Sequence, residues 1–151
     1  MSIISIDNIK LNQEIFSQQE AFSVIAELAQ THGYSTSISE VVKGLNEREL
    51  EGTTGMMDGI AIPHCQSKKI TKPGVFIIRT NEGIEWQSMD GQPVRLIVSL
   101  LIPDGEAGTT HLKVLSTIAR MLMKDEIKTE LLQAENKEAI YTILEEHLKG
   151  A

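Results

Sequence analysis

The longest apolar stretch of the chain, residues 94–102, constrains the fold more than any other feature. It reads Val-Arg-Leu-Ile-Val-Ser-Leu-Leu-Ile and does not alternate between apolar and polar residues along its length. Such a stretch is typical of a central strand buried on both faces, and both faces of that strand then need a covering layer of helix. The stretch therefore predicts a sheet packed between helices.

Helical patterns lie on both sides of this strand in the sequence. Two capping boxes, Ser17–Glu20 and Ser37–Glu40, place a carboxylate three residues after a hydroxyl and predict helix starts. The first helix is expected over residues 18–32, before Gly33. Further helices are expected at residues 111–123, at residues 125–133 and after Asn136. The predicted core stripe of the 111–123 helix consists of Leu112, Leu115, Ile118, Ala119 and Leu122.

Shorter strands are predicted at residues 3–6, 60–62 and 75–78, with an exposed strand edge at 84–86. Turn residues at 72–74, 81–83 and 89–93 separate some strands closely, whereas helices separate others. We therefore expect an α/β (α+β) fold, a sandwich with a mixed β-sheet of about five strands flanked by helices. The length of 151 residues predicts a single domain over residues 1–151.

Composition excludes several classes of function. The net charge of −7 and the pI near 5.1 argue against nucleic-acid binding, because no basic surface could neutralise a phosphate backbone. No apolar run approaches the roughly 20 residues that a membrane-spanning helix needs, so direct membrane insertion is not expected. The N-terminus lacks a signal-peptide pattern, and the single cysteine is typical of a reducing compartment. We expect a cytoplasmic protein.

Candidate chemistry is concentrated in residues 48–65. A glycine-rich loop, Gly52–Gly59, carries the hydroxyls of Thr53 and Thr54 and lets the main chain approach a ligand closely. Pro63 then ends a short apolar run and holds His64 on a stiff support. An imidazole presented in this way, near Arg48 and two hydroxyls, suggests handling of a phosphoryl group.

Each of these residues also has a structural interpretation. His64 could be a packed histidine, Arg48 part of a charged helix end, and the two threonines simple turn formers. His111 lies in the first turn of a predicted helix, where the helix dipole disfavours an imidazolium; it is either a neutral hydrogen-bonding ring or an exposed helix-start residue. No metal is expected, because His64 and Cys65 are adjacent on an extended segment and point to opposite faces. A Cys65 nucleophile with His111 as its base has equally little support.

Several motifs in order resemble one protein family. They are Arg48-Glu49, Thr53-Thr54-Gly55, Gly59–His64, Gly83–Trp86, Asp90–Val94, Leu101–Pro103 and His111–Leu115. Together they resemble the enzyme IIA domain of the fructose–mannitol type in the bacterial phosphoenolpyruvate-dependent sugar phosphotransferase system (PTS). The run Gly-Ile-Ala-Ile-Pro-His at residues 59–64 is the most specific part.

The resemblance implies a phosphocarrier that needs no cofactor or metal. His64 would accept a phosphoryl group from the phosphohistidine of HPr and pass it to a cysteine of enzyme IIB, and the sugar would be phosphorylated later at the membrane-embedded IIC. The family's accessory histidine corresponds to His111 and its phosphate-binding arginine to Arg48. Its loop hydroxyl corresponds to Thr53 or Thr54. A fructose-type sugar is the expected substrate of the pathway.

Three other functions stay open at this point. A nitrogen-related regulatory IIA would use the same chemistry as a signal and serve no sugar. A binding module would keep His64 as a structural residue, and a metal-dependent hydrolase would use His64 with His111. The apolar residues beside the site, Met56, Met57 and Ile62, are expected either to lie in the core or to form an adaptable docking patch.

Overall fold

A mixed sheet of five strands carries the fold. The computed structural model describes residues 3–105 and 109–149, and for residues 109–111 it describes the backbone alone. The strands are β1 (Ile9–Gln13), β2 (Ile60–Ala61), β3 (His64–Ser67), β4 (Gly74–Ile84) and β5 (Val94–Pro103). The helices are α1 (Gln18–Thr31), α2 (Ile38–Glu51), α3 (Thr109–Met121), α4 (Asp125–Gln133) and α5 (Lys137–Leu148).

Strand β5 lies at the centre of the sheet, as its apolar sequence predicts. It pairs antiparallel with β4 on one side and parallel with both β2 and β3 on the other, while β1 pairs parallel with β4 at the far edge. Strands β2 and β3 follow each other along the same side of β5, with Ile60 opposite Leu96 and His64 opposite Leu100. They form one edge that is interrupted between Ala61 and His64. The expected mixed sheet is confirmed.

Helices cover both faces of the sheet, so alternate residues of β5 enter two separate cores. One cluster lies under α1 and α2 and includes Phe22, Ile25, Val41, Leu45, Ile97 and Leu101. The other lies under α3, α4 and α5 and includes Val98, Leu100, Ile118, Leu131, Ile140 and Leu144. This arrangement confirms the α/β sandwich.

The predicted capping residues begin their helices. Ser17 Oγ accepts a hydrogen bond from Glu20 N at 3.1 Å, and Ser37 Oγ accepts one from Glu40 N at 3.2 Å. Asn136 Oδ1 accepts a bond from Ala139 N at 2.9 Å at the start of α5. These bonds satisfy backbone donors that have no partner inside the helix.

The strand predicted at residues 3–6 is wrong. The first strand is Ile9–Gln13, and a short 3-10 turn at Ile6–Asn8 precedes it. Ser5 explains the difference, because its hydroxyl accepts a bond from Asp7 N at 3.3 Å and begins the turn. A local polar contact thus prevails over the apolar character of a short segment.

The turn predicted at residues 81–83 and the exposed edge at 84–86 are also wrong. Strand β4 continues irregularly to Ile84, which is fully buried, and Trp86 is only 6% exposed. Gly83 allows this path, since a Cβ at that position would lie 2.5 Å from Pro93 Cβ. The glycine therefore serves close packing within the strand, and not a reversal of the chain.

The apolar stripe of α3 is rotated from the predicted one. Leu112 is 67% exposed, whereas Val114 and Met121 are buried with Ile118 and Leu122. The predicted positions are wrong at Leu112 because several apolar residues in this helix allow more than one stripe at helical spacing.

Candidate functional site

His64 is the first residue of β3 and lies at the interruption of the edge strand. Pro63 separates β2 from β3, and its carbonyl accepts a bond from Leu100 N at 3.2 Å. On the other side of Pro63, Ile62 N donates to Thr54 O at 3.0 Å. The backbone before His64 is thus held by β5 and by the glycine-rich loop together.

Two hydrogen bonds fix the imidazole ring of His64. Its Nδ1 lies 2.8 Å from the carbonyl oxygen of Ile62, and its Nε2 lies 3.2 Å from Nε of Arg48. A carbonyl oxygen only accepts and a guanidinium nitrogen only donates, so the neutral ring carries its proton on Nδ1. The lone pair of Nε2 therefore faces the arginine.

Burial lowers the pKa of His64 below its ordinary value of 6.5. Desolvation of the ring is the main cause, and the positive charge of Arg48 acts in the same direction. The bond to the Ile62 carbonyl and the charges of Glu49 and Glu51 oppose this shift, with smaller effect. The ring is consequently neutral, and its Nε2 lone pair available, over more of the pH range than in a solvated histidine.

Arg48 connects α2 to both the ring and the loop. It lies in the last turn of the helix, and its Nη1 donates to the carbonyl of Gly52 at 2.7 Å. That carbonyl is one of the groups that the end of a helix leaves without an intrahelical partner. The Arg48 side chain therefore bonds both to the carbonyl of Gly52 at the end of the helix and to the ring of His64.

The two loop hydroxyls have partners within the loop and its neighbours. Thr53 Oγ1 donates to Gln87 O and accepts from Gly55 N at 3.0 Å. Thr54 is buried, its Oγ1 donates to Glu49, and its backbone N–H donates to both oxygens of the Glu49 carboxylate at 3.3 Å. Glu49, the residue next to Arg48 on α2, thus bonds the loop to the end of the helix.

Gly55 lets the loop lie against the chain that follows β4. A Cβ at this position would lie 2.7 Å from Gln87 O and 2.9 Å from Ser88 Cα. The loop then turns back on itself, with Met56 N donating to Ile60 O at 2.8 Å. The left-handed backbone of Asp58, at φ 61°, and of Gly59, at φ 79°, completes this tight return.

Cys65 is a core residue on the other face of the strand. It is 7% exposed and packs on α2 at Gly44, where a Cβ would lie 3.0 Å from its sulfur. Burial raises the pKa of its thiol to about 12. A thiol of this kind is neither a nucleophile nor a metal ligand at neutral pH.

The apolar residues beside the site differ in exposure. Met57 is 51% exposed, whereas Met56 is half-buried and Ile62 packs against the second core cluster. Leu50, near the end of α2, is 87% exposed. Of the three residues that the sequence suggested for a docking patch, Met57 alone is exposed, and Leu50 was not among them.

The structure brings together the predicted site residues whose side chains it describes. Arg48 and His64 are in contact, and Thr53 and Thr54 lie in the loop that is bonded to the residue before Pro63. The backbone of His111 lies in α3, but its side chain falls outside the described residues. Among the side chains that the structure describes, no group of three or more His, Cys, Asp or Glu is arranged to hold a metal ion.

Sequence reasoning missed two groups at this site. They are the carboxylate of Glu49, which holds Thr54, and the carbonyl of Ile62, which sets the tautomer of His64. The position of Glu49 beside Arg48 at the end of a helix was the available signal. No sequence signal exists for a backbone carbonyl, since every residue has one.

Comparison with known proteins identifies the family. Residues 2–147 match the family model for EIIA 2 of the phosphoenolpyruvate-dependent sugar phosphotransferase system. The chain belongs to this family, whose members are phosphotransfer components of the sugar PTS, and the resemblance seen in the motifs is confirmed.

Curated relatives include members of both the transport and the regulatory branch. The chain is 33% identical over 145 residues to the PTS system fructose-specific EIIA component of Haloferax volcanii, covering 96% of this chain and 94% of that protein. It is 39% identical over 136 residues to a nitrogen regulatory protein of Bradyrhizobium diazoefficiens, covering 90% of this chain and 85% of that protein.

Solved structures share the fold. Nitrogen regulatory protein IIA-Ntr from Neisseria meningitidis has a TM-score of 0.87 and 32% identity, covering 94% of this chain and 96% of that one. Enzyme IIA for mannitol from Escherichia coli, in complex with phosphorylated enzyme IIB, has a TM-score of 0.77 and 21% identity, covering 93% and 95%. The second likeness concerns the fold alone.

In the part of the chain that the structure describes, no helix is long and apolar enough to cross a membrane.

Proposed function

We propose that this protein is a cytoplasmic phosphocarrier in which Nε2 of His64 accepts a phosphoryl group from the phosphohistidine of HPr and passes it to a cysteine of enzyme IIB. The observation that carries the proposal is the hydrogen bond between His64 Nδ1 and the Ile62 carbonyl at 2.8 Å. It holds the proton on Nδ1 and leaves a lone pair on Nε2, the atom that must attack phosphorus.

The transfer balances without a separate acid or base. The Nε2–P bond forms while the bond between phosphorus and the donor imidazole breaks, and the donor, which carries a proton on its other ring nitrogen, leaves as a neutral ring. His64 keeps its Nδ1 proton and becomes a phosphorylated imidazolium, whose charge the Ile62 carbonyl stabilises. In the second step the thiolate of enzyme IIB forms an S–P bond while the Nε2–P bond breaks, and His64 leaves as a neutral ring that keeps its Nδ1 proton.

Arg48 is assigned the binding of the phosphoryl oxygens. Its Nε now donates to His64 Nε2, and that donor becomes free when Nε2 bonds to phosphorus. A guanidinium can then offer several N–H donors to the equatorial oxygens, where the transfer develops charge. Its bond to Gly52 keeps the side chain in place during this exchange.

The loop hydroxyls and His111 are assigned supporting roles. Thr53 or Thr54 would contact the phosphoryl group, and His111 would donate to it from the first turn of α3. The burial of Thr54 and its bonds to Glu49 favour Thr53, which is half-buried, as the residue with easier access. No metal or cofactor enters the mechanism.

The leading physiological role is sugar uptake, with IIC as the membrane component and a fructose-type sugar as the substrate. Similarity to the fructose-specific protein of Haloferax volcanii supports this role. Similarity to the nitrogen regulatory protein of Bradyrhizobium diazoefficiens supports the second candidate, a regulatory phosphoprotein that serves no sugar. Both roles use the same phosphorylation of His64, within a single domain over residues 1–151.

The first test is intact-mass spectrometry after incubation with phosphoenolpyruvate, enzyme I and HPr. We expect an acid-labile gain of one phosphoryl group in the wild type and none in His64→Ala. Retention of the label in His64→Ala would refute the site, and absence of label in the wild type with active partners would refute the function.

A second test separates the two roles. Phosphorylated wild-type protein is mixed with the IIB and IIC of a fructose transport system, and sugar phosphate is measured. Transfer to IIB and formation of sugar phosphate support transport, whereas a stable phosphoprotein that is not discharged by IIB supports the regulatory role.

A further inference from the structure

A second set of contacts holds the far end of the glycine-rich loop. Asp58 has a left-handed backbone at φ 61°, a conformation that aspartate adopts more readily than most residues with a side chain. Its backbone N–H donates to Asp90 Oδ2 at 2.9 Å, and its carboxylate accepts a hydrogen bond from Lys128 Nζ. The main chain of Asp58 is thus bonded to the turn that contains Asp90, and the side chain of Asp58 is bonded to α4.

The contact with Lys128 differs from an ordinary surface ion pair. The Lys128 side chain is only 13% exposed, and its Nζ also lies 3.2 Å from Asp125 Oδ1 on the same helix. Exposed pairs contribute little because water competes for both partners and the side chains lose freedom. Here the lysine is mostly covered, while Asp58 and Asp125 are 52% and 93% exposed, so the contact is shielded from water on the lysine side only.

Helix α4 is itself fixed to the sheet at its C-terminal end. Arg79 of β4, which is 8% exposed, donates from Nη1 to Leu131 O at 2.9 Å and from Nη2 to Ala134 O at 2.5 Å. These carbonyls belong to the last turn of α4 and the residue after it, where the helix leaves acceptors without partners. The helix that carries Lys128 is therefore a fixed support.

We propose that Lys128 is a positioning residue for phosphoryl transfer, because its ion pair with Asp58 sets the place of the glycine-rich loop relative to His64. The inference rests on the proposed phosphocarrier function and adds a residue that lies outside the family motifs quoted above. The connection from Asp58 to the sheet is short, since Gly59 O accepts bonds from Arg95 N at 2.8 Å and Leu96 N at 3.0 Å of the central strand β5. We expect a shift of Asp58 to be transmitted along residues 55–57 to Thr53 and Thr54, against the bonds that hold these threonines to Gln87 and Glu49.

The experiment compares Lys128→Met with Lys124→Met. Lys124 lies one turn earlier at the start of α4, is exposed and has no side-chain capping bond, so its replacement removes the same charge without removing the ion pair. Lys128→Arg is the conservative variant. Asp58→Asn removes the partner charge while keeping a side chain that tolerates the left-handed backbone.

Two measurements are made on each variant. Hydrogen exchange, read by mass spectrometry on peptides covering residues 53–60, reports the loop without any need for activity. Single-turnover transfer from phosphorylated HPr is measured at several HPr concentrations. It gives the transfer rate constant separately from the HPr concentration at which the rate is half-maximal.

In Lys128→Met we expect faster exchange in the loop and a transfer rate constant lowered about tenfold, with Lys124→Met near wild type on both measurements. Lys128→Arg should recover most of the rate. The double variant Asp58→Asn/Lys128→Met should be no slower than either single variant, because the two residues act as one unit.

Three results would overturn the proposal. Unchanged loop exchange in Lys128→Met would show that the ion pair does not hold the loop. Faster loop exchange with an unchanged transfer rate constant would show that Lys128 does not position the loop for transfer. A double variant in which the rate decreases of the two single variants multiply would show that Asp58 and Lys128 act independently. A wild type that accepts no phosphoryl group, with loop exchange still dependent on Lys128, would instead refute the phosphocarrier function and leave the ion pair as a structural one.

Discussion

Arg48 Nε and His64 Nε2 lie 3.2 Å apart, and the arginine donates to the lone pair that the proposed reaction needs. The resting site is therefore closed by one of its own functional groups. In the proposed reaction an arriving phosphoryl group would replace the lone pair as the partner of Arg48, so the same donor would serve the unphosphorylated and the phosphorylated protein. This exchange would leave neither the guanidinium nor the imidazole without a partner once the transfer is complete.

The pKa of His64 should respond to Arg48 in a defined direction. An NMR titration should give wild-type His64 a pKa below 6.5, because burial and the arginine charge both disfavour the imidazolium. Phosphoryl acceptance should fall as the pH decreases through that lowered pKa. In Arg48→Ala the pKa should rise, since a positive charge is removed and water gains access to the ring.

Arg120→Ala is the matched control for this titration, as Arg120 is exposed on α3. It should leave the pKa of His64 where it is in the wild type. A wild-type value above 6.5, or a decrease in Arg48→Ala, would contradict the assigned causes.

Glu49 should matter for stability and Glu47 should not. Glu49→Ala leaves the buried hydroxyl and the N–H of Thr54 without their acceptor, which should lower the free energy of unfolding by about 1–3 kcal/mol. Glu47 lies on the same helix and makes an exposed pair with Lys43 at 3.9 Å, so Glu47→Ala should stay within about 0.5 kcal/mol of wild type. Urea unfolding measures both variants, and equal losses would argue against the role of Glu49.

Gly55 should not tolerate a methyl group. In Gly55→Ala the new Cβ would lie against the backbone of Gln87 and Ser88, which should lower the free energy of unfolding by about 1–3 kcal/mol through overpacking. Gly91→Asn offers a contrast, because Gly91 has open space around it and asparagine tolerates its φ of 74°. Thermal unfolding should show a clear decrease for the first variant and little change for the second.

Cys65 should be inert in the folded protein. With a thiol pKa of about 12 and 7% exposure, almost no thiolate is available to an alkylating reagent at pH 8. Iodoacetamide followed by mass measurement should label the native chain slowly and the urea-unfolded chain rapidly. Rapid native labelling would contradict the buried position of the thiol.

Local interactions made parts of the fold predictable from sequence. The helix starts at Ser17, Ser37 and Asn136 depend on contacts between residues three apart, so the sequence displays them directly. The burial of β5 was equally predictable, because a strand covered on both faces has no polar alternation.

Other parts depend on distant partners and could not be predicted. Strand β3 reads His-Cys-Gln-Ser, and it is a strand because β5 supplies its hydrogen bonds. The link between Asp58 and Lys128 joins residues 70 positions apart that no motif connects. Family motifs indicated Arg48 and His64 as site residues, but only the folded chain gives the tautomer of the ring and the role of Glu49.

The carbonyl of Ile62 has a consequence for the chemical identity of the product. A phosphorylated histidine exists as two isomers, and a ring whose Nδ1 is bonded to a carbonyl at 2.8 Å can carry the group on Nε2 alone. A reagent that discriminates between the isomers should therefore recognise this protein as the Nε2 form and never as the Nδ1 form. One main-chain oxygen would thus determine which of two covalent products the proposed reaction forms.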